Sequence, residues 1–474
     1  MIGVLLIVVP VLAGITAFFV KEQRAVKSWA LLSAIVVLAI SVYAAITKTS
    51  IDYSTSWLPG LNSNFAIHAD GMSKMLCLLT GISFPVIFAA TYNNDYKNAN
   101  QFYGLMLLAQ AGLMGVFLAS DALLFYFFWE LALIPVYFLC SIWGGEKRIV
   151  VTFKFFIYTF VGSLLMLVGI LFLYNKTADS SFAWASFAKV QLSEAHQNFA
   201  FWLFFVAFAI KMPIFPLHTW QPDAYEQSPT AVTMVLSGVM VKMGIYAVMR
   251  WLVPLFPQAA DKYDQIIMIA AVVGMLYASL IAIRQDDIKR LIAYSSIAHI
   301  GLMCAAIFAH NASGIQGVLI QMFNHGINVI GLWIVADAVE KQLGTRKMSE
   351  LGGLAHKAPV LTILLVVLAF ANIALPLTNA FIGEFLMFKG LFSFNIWLAA
   401  SAAISIILGA VYTLNMVQRV FYGEANEKTA NAKDIDANVK WILALLVVLI
   451  IGLGVYAQPM IDLTKDVLTT QLIK

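Results

Sequence analysis

Residues 199 to 221 read Phe199-Ala-Phe-Trp-Leu-Phe-Phe-Val-Ala-Phe-Ala-Ile-Lys-Met-Pro-Ile-Phe-Pro-Leu-His-Thr-Trp-Gln221. An unbroken apolar run leads into Lys211, and Pro213 and Pro216 follow it at once. About 20 apolar residues cross a 30 Å hydrocarbon core as a helix, so this stretch reads as a membrane span with a cation inside it. Each proline removes a backbone donor and clashes with the preceding turn, so the helix is expected to break there. Broken backbone at membrane depth is tolerated only where it is buried in protein or lines a wet cavity, so a break marks a candidate site. The plainer reading is a proline kink that serves packing alone.

The rest of the 474-residue chain agrees with a membrane setting: 61% of its residues are hydrophobic, 11% are charged and the mean hydropathy is +0.86. Soluble domains carry about 25% charged residues, so a soluble protein of two or three domains is excluded. The net charge of +4 includes no basic block able to track a nucleic acid backbone. Cys77, Cys140 and Cys304 lie singly in apolar runs and read as small core residues, neither a disulfide framework nor a metal site. Residues 1–20, with no basic stretch before them and no clear cleavage site, read as a retained first span.

Fourteen apolar runs are expected to span, near 2–20, 28–46, 72–92, 101–119, 121–142, 152–174, 199–221, 231–254, 264–283, 291–309, 312–339, 358–394, 396–420 and 440–459. The fold class expected is therefore an all-α polytopic membrane protein. The run 358–394 would be roughly 55 Å long as one helix; with Ala-Leu-Pro-Leu-Thr-Asn at 374–379 it is expected to break near Pro376. Eighteen Lys and Arg fall in the odd-numbered connections, and nine in the even ones and the C-terminus. By the positive-inside bias this puts both termini outside. Lys211 and Lys242 are the two of 29 basic residues left over.

Pro376 lies 163 residues after Pro213, and the ninth span opens about 163 after the fourth. That spacing suggests inverted five-helix repeats, spans 4–8 against 9–13, as in transporters. The expected organisation is one membrane domain over 1–474: three spans in 1–100, a first repeat in 101–254, its inverted copy in 264–422, and a last span with its tail in 440–474.

A charge at the bilayer centre costs roughly 2.5–3.5 kcal/mol even on the lenient scale. Glu130, Lys211, Lys242 and Glu384 all lie inside apolar segments, and His299 and His325 sit in the middle of the tenth and eleventh spans. Six titratable groups at one depth on six helices suit proton transfer along the membrane plane. Burial and neighbouring charge can move a proton between a glutamate and a lysine, and histidine can relay it. Each has a plainer reading: Glu130 as a structural partner for a lysine, the lysines as snorkelling groups, the histidines as satisfied polar residues. His218, Asp223 and Glu226 are expected to line the mouth beyond the break, and Lys389 to lie near the far interface.

Phe-Trp-Glu at 128–130, Lys-Met-Pro-Ile-Phe-Pro-Leu-His-Thr-Trp-Gln-Pro-Asp-Ala at 211–224, Lys242, Tyr-Ser-Ser-Ile-Ala-His at 294–299 and His325 together resemble the antiporter-like subunits of respiratory complex I. The match covers essentially the whole chain. In that family the glutamate of the fifth span and the lysine of the seventh form a coupling pair, the lysine of the eighth is central to proton transfer, and histidines lead toward the twelfth span. A glutamate in the broken twelfth span, here Glu384, resembles the M-type chains, whereas L-type and N-type chains usually carry lysine. The resemblance implies a non-redox subunit of a bacterial proton-translocating NADH:quinone oxidoreductase in the inner membrane. It would work beside L-type and N-type chains and lipid, with no cofactor of its own and with quinone, FMN and iron–sulfur clusters in other subunits. Multisubunit sodium/proton antiporters and membrane-bound hydrogenases contain related chains. A haem- or quinone-bearing oxidoreductase with His299 and His325 as ligands lacks a histidine spacing that would stack haems. A purely structural scaffold leaves the six interior groups without a reason.

Overall fold

The computed structural model describes residues 1–47 and 50–469. Lys48 and Lys474, both counted above for topology, lie outside the described residues. A chain in hydrocarbon must satisfy its backbone internally, which leaves helices as the default element, and helices follow one another almost throughout. The N-terminal group is α1 (Ile2–Ala17), α2 (Gln23–Ile46), α3 (Gly71–Ala90) and α4 (Ala99–Leu118). Next come α5 (Ala122–Trp143), α6 (Arg148–Tyr174), α7 (Glu194–Lys211), α8 (Trp220–Gln227) and α9 (Thr230–Leu252). The last group is α10 (Pro257–Arg284), α11 (Ile288–Ile307), α12 (Ala312–Leu343), α13 (Pro359–Asn372), α14 (Asn379–Phe394), α15 (Ile396–Tyr422) and α16 (Ala437–Val455). Among the described residues eleven of these are long and apolar enough to cross a membrane, and α1 and α13 are shorter apolar helices.

Short polar side chains set several helix starts by accepting backbone N–H bonds. Asp70 accepts from Ser73, Asp121 from Leu123 and Leu124, Asp287 from Lys289 and Arg290, and Asn311 from Gly314. Gly344 ends α12 at φ +67°, a left-handed conformation that favours glycine.

One element departs from an all-α fold. Residues Ile51–Leu58 and Ser63–Ala69 pair as an antiparallel hairpin, with Ile51 opposite Ala69 and Thr55 opposite Phe65. A search for runs of 20 apolar residues passes over it, because a strand needs only short alternation. Ile-Asp-Tyr-Ser-Thr-Ser-Trp before Pro59-Gly60 supplies that alternation and the turn. The hairpin braces the α4–α5 turn: Ser63 Oγ and Asn64 N donate to the Asp121 carboxylate, and Ser120 N donates to Ala66 O.

Both proline-bearing segments lose their helix. Between α7 and α8, residues 212–219 are non-helical, and the Trp220 indole donates to Ile210 O at 3.0 Å, taking up a carbonyl beside the break. Between α13 and α14, residues 373–378 are non-helical, with Ala374 at φ +52° and Leu377 at φ +74°. Those values are costly for residues with a Cβ.

α9 is buried throughout except for the half-buried Arg250, and α12 is buried from Gly314 to Asp337 with exposed ends, whereas α2, α15 and α16 expose apolar faces. A helix apolar all round belongs in the core of a membrane bundle, and these two central helices carry Lys242 and His325. α9 also contains two π-helical turns, Leu236–Met240 and Val248–Leu252. Cys77, Cys140 and Cys304 are buried free thiols.

The division of cations between connections and interior needs correcting. Lys27, Lys74 and Lys289, counted with connections, are buried inside helix ends, where Lys27 meets Asp95 at 3.0 Å and Lys289 meets Glu340 at 2.5 Å. Arg250, also counted with a connection, sits in the second π turn and pairs with Asp70. Helices extend past their apolar runs by a turn or so, and these ends hold cations next to acids. Lys211 and Lys242 differ in having no carboxylate within 4 Å among the described residues.

Candidate functional site

Lys242 lies two residues beyond the first π turn of α9 and is wholly buried. Its Nζ donates to Ser237 O at 2.7 Å and stands 2.8 Å from His325 Nδ1 on α12. The His325 ring lies 5.5 Å from the His299 ring, centroid to centroid. His299 Nδ1, on α11, is 3.0 Å from Glu384 Oε1 on α14. Gln321 Nε2 donates to the same carboxylate oxygen at 3.2 Å. Four of the six candidate groups thus form one line across four helices. The two histidine rings meet in tilted contact without a direct hydrogen bond, and His299 Nε2 has no partner among the described residues.

Amides hold the acidic end of this line in place. Asn324 Nδ2 donates to Asn379 O at 2.7 Å and Asn328 Nδ2 to Asn379 Oδ1 at 3.0 Å, tying α12 to the first turn of α14 beside the second break. A cavity of about 20 Å³, lined in part by His299, Asn372, Glu384 and Tyr412, adjoins the carboxylate. That is room for one water. The Tyr412 hydroxyl donates to Ser295 Oγ at 3.0 Å, and Asn372 Nδ2 donates to Ser295 Oγ at 3.2 Å and Thr413 Oγ1 at 2.9 Å.

Glu130 and Lys211 stand apart from this line and from each other. They are near enough to feel one another's charge but form no ion pair within 4 Å. Lys211 Nζ lies 5.7 Å from the Trp129 ring centroid and has no hydrogen-bond partner among the described residues. Trp129 is fully buried and Glu130 half-buried, with Ser163 of α6 facing the carboxylate. Gly244 of α9 packs against Met212, so that a Cβ there would stand 2.8 Å from Met212 N, which fixes the start of the break against α9.

The groups expected at the mouth divide. His218 is buried against Phe215 and Tyr277, whereas Asp223 and Glu226 enter an ion network. Asp223 meets Lys154 at 2.8 Å and Arg290 at 3.1 Å; Glu226 meets Arg290 at 2.8 Å and Arg346 at 2.7 Å. Arg346 also contacts Asp287 and Glu340. Lys389 is exposed.

Ser237, Gln321, Asn324 and Asn379 are missed by a search for charges. Their signal was amides and hydroxyls inside apolar runs, with Asn324 and Asn328 flanking His325.

The chain is thus a polytopic helix bundle built round a buried line of ionisable side chains on its innermost helices. It belongs to the NADH:quinone oxidoreductase/Mrp antiporter transmembrane family, whose profile matches residues 119–409. It is 36% identical over 420 residues to NADH-quinone oxidoreductase subunit M of Rhodobacter capsulatus, covering 86% of this chain and 81% of that one. To F(420)H(2) dehydrogenase subunit M of Methanosarcina mazei it is 34% identical over 474 residues, covering 97% and 95%. A chain in the structure of respiratory complex I from Thermus thermophilus with bound NADH superposes over 100% of both chains, with a TM-score of 0.91 and 29% identity.

Proposed function

We propose that this chain is the M-type antiporter-like subunit of a proton-translocating NADH:quinone oxidoreductase, carrying protons through Glu130, Lys211, Lys242, His325, His299 and Glu384. The observation that carries this reading is the contact line Lys242–His325–His299–Glu384 inside the two most buried helices and their neighbours. In this reading Lys242 passes a proton to His325, a water between the imidazoles hands it to His299, and Glu384 receives it beside the polar cavity. Glu130 and Lys211 form the upstream pair, coupled through charge rather than contact; Lys211 moves against Trp129 when the broken segment 212–219 shifts. Moving one charge against 100 mV costs roughly 2.3 kcal/mol, so a gate that lacks a fixed ion pair suits the task.

The drive comes from quinone reduction in other subunits, which hold the quinone, FMN and iron–sulfur clusters, and this chain needs none. Fourteen crossings follow when α7 with α8, and α13 with α14, each count as one. Both termini then lie on the periplasmic side of the inner membrane, and spans 4–8 and 9–13 form inverted repeats, within 101–254 and 264–422. The neighbours are L-type and N-type chains. In membranes, Lys211→Ala and Glu130→Ala impair coupled turnover while the complex stays assembled; normal quinone-linked pumping in both variants overturns the mechanism.

A second reading has a specific support, since the family embraces Mrp antiporters and a relative covering 97% of the chain belongs to an F(420)H(2) dehydrogenase. There the same proton path would serve a different driving reaction. The subunits that co-purify with the chain decide between the two.

A further inference from the structure

Of the eleven long spans among the described residues, α16 is the least buried. Its buried side chains are Leu443, Leu446 and Ile450, a row at three- and four-residue spacing that marks one inward stripe. Gly454 is the next residue on that stripe, in the last turn of the helix, and there α16 meets the second break. A Cβ on Gly454 would run into Leu377 O and stand 2.5 Å from the carbonyl carbon of Thr378 and 2.6 Å from that of Leu377. All three are backbone atoms, so no change of rotamer makes room. Two residues earlier, a Cβ on Gly452 meets nothing within 4 Å. The contact therefore requires glycine at 454 and leaves 452 free.

Backbone without helical bonds at membrane depth has to be covered by protein. Leu377 is 69% exposed, so the outer side of the break is thinly wrapped, and the tip of α16 is what reaches its backbone there. The segment is also held from within: Leu375 N donates to Phe370 O at 2.9 Å, and Thr378 donates to Leu375 O from N at 3.0 Å and from Oγ1 at 2.7 Å. Ala374 and Leu377 keep their positive φ inside this frame. Such residues persist only where the surroundings over-determine them, and they cluster at functional and switch regions.

The break opens directly into α14. Asn379, its first residue, is tied to Asn324 and Asn328 of α12, and Glu384 follows five residues later, about 7.5 Å along the axis. A shift of the peptide between Leu377 and Thr378 is thus carried into α14 close to the carboxylate. The contacts of Glu384 with His299 Nδ1 at 3.0 Å and Gln321 Nε2 at 3.2 Å leave little slack for it.

We propose that Gly454 is a positioning residue: by letting the tip of α16 close on the Leu377–Thr378 peptide, it clamps the second break and holds Glu384 where it meets His299 and Gln321. The proposal rests on Glu384 being a proton carrier. Gly454 acts through the backbone of the break and not on the carboxylate itself.

The test uses the intact complex in sealed membrane vesicles, with Gly454→Ala, Gly452→Ala, Glu384→Gln and a double variant that joins Gly454→Ala to Leu377→Gly. Two quantities are read: protons translocated per quinone reduced, and the carboxyl band that Glu384→Gln removes from the redox-induced infrared difference spectrum. Gly454→Ala is expected to lower translocation by about tenfold and to shift that band, while Gly452→Ala matches the parent in both. Glycine at 377 lets the peptide turn away from the new methyl, so the double variant is expected to regain most of the translocation and the parent band. Parent translocation with an unshifted band in Gly454→Ala, alongside an impaired Glu384→Gln, overturns the clamp and leaves the role of Glu384 standing. A loss with an unshifted band, or one that Leu377→Gly does not relieve, also overturns it, because it marks packing alone. If Gly454→Ala does not assemble, the double variant decides: regained assembly and coupling support the clamp, and continued failure overturns it. Normal translocation by Glu384→Gln, or a difference spectrum that it leaves unchanged, removes the reading beneath as well.

Discussion

The side-chain nitrogen of Lys242 stands 2.8 Å from Nδ1 of His325, and both residues lie in the fully buried stretches of their helices. The lysine has only one other partner among the described residues, the Ser237 carbonyl. A buried amine held by one backbone oxygen and one imidazole can lose its proton to the imidazole without a rearrangement of helices, and no carboxylate fixes the charge in place.

His325→Leu therefore removes the acceptor while keeping the apolar volume. Proton translocation is expected to fall more than about tenfold, and the stability cost is about 1.5–3 kcal/mol, that of a hydrogen bond to a charged group. Pumping measured against quinone reduction in vesicles checks it. Parent coupling in a fully assembled variant would show that protons do not leave Lys242 by this contact.

Gly317 of α12 sits against the backbone of α14, where an added Cβ would stand 2.6 Å from Met387 N and 2.7 Å from Gly383 O. Small residues at a helix contact permit this close approach, and neither neighbour is a flexible side-chain end. Gly317→Ala is expected to push α14 outward, carrying Glu384 away from His299 and Gln321. It should cost about 1–3 kcal/mol of stability and slow translocation. Gly60→Ala on the hairpin turn, where a Cβ meets nothing within 4 Å, should stay within about 0.5 kcal/mol. Thermal unfolding in detergent and vesicle pumping compare the two.

Arg346 joins three carboxylates from separate places: Glu226 of α8, Asp287 at the start of α11 and Glu340 near the end of α12. Arg346→Ala leaves Asp287 without its cation, while Glu226 keeps Arg290 and Glu340 keeps Lys289, so three partly buried acids share two cations. A loss of about 1–3 kcal/mol is expected, smaller at high salt because screening relieves the repulsion. The melting temperature of the purified complex at low and high ionic strength measures it. A salt-independent loss would assign the arginine to packing.

How much of this was legible in the sequence depended on whether a residue carries a visible penalty. Lys211, Lys242 and the prolines at 213 and 216 stand out because a charge or a missing donor in an apolar run is costly. His299 and His325 stand out less, and nothing along the chain says that their rings meet at 5.5 Å, since periodicity assigns a face but not the rotation of one helix against another. The surroundings of Lys211 show the same limit: the sequence marks a buried cation, and only the fold puts the Trp129 ring beside it. Gly454 carries no penalty visible in one dimension. Its meaning comes from the close approach of the backbone of Leu377 and Thr378.

The acid-side behaviour of the connection after α12 offers a test away from the proton line. Glu350 accepts from Lys428 at 2.5 Å and from Thr345 Oγ1 at 2.7 Å, with Lys347 at 3.5 Å. The Lys428 bond first, and the Thr345 bond second, hold its carboxyl down to about 2 from an ordinary 4.5. A lowered acid favours the folded state wherever the unfolded chain would bind the proton more readily. The contribution is therefore complete above pH 4.5 and is lost as the pH falls from there toward 2. Because Lys428 lies in the connection before α16, this contact ties two surface segments, and acid should loosen both before the buried helices respond. Hydrogen exchange over 345–350 and 426–429 should rise together between those pH values. Lys428→Ala should raise the Glu350 titration toward 4.5 and produce the same exchange at neutral pH. Exchange that is unchanged by Lys428→Ala would show that other contacts, such as Asn426 Nδ2 donating to Glu350 O at 3.0 Å, hold the two segments together.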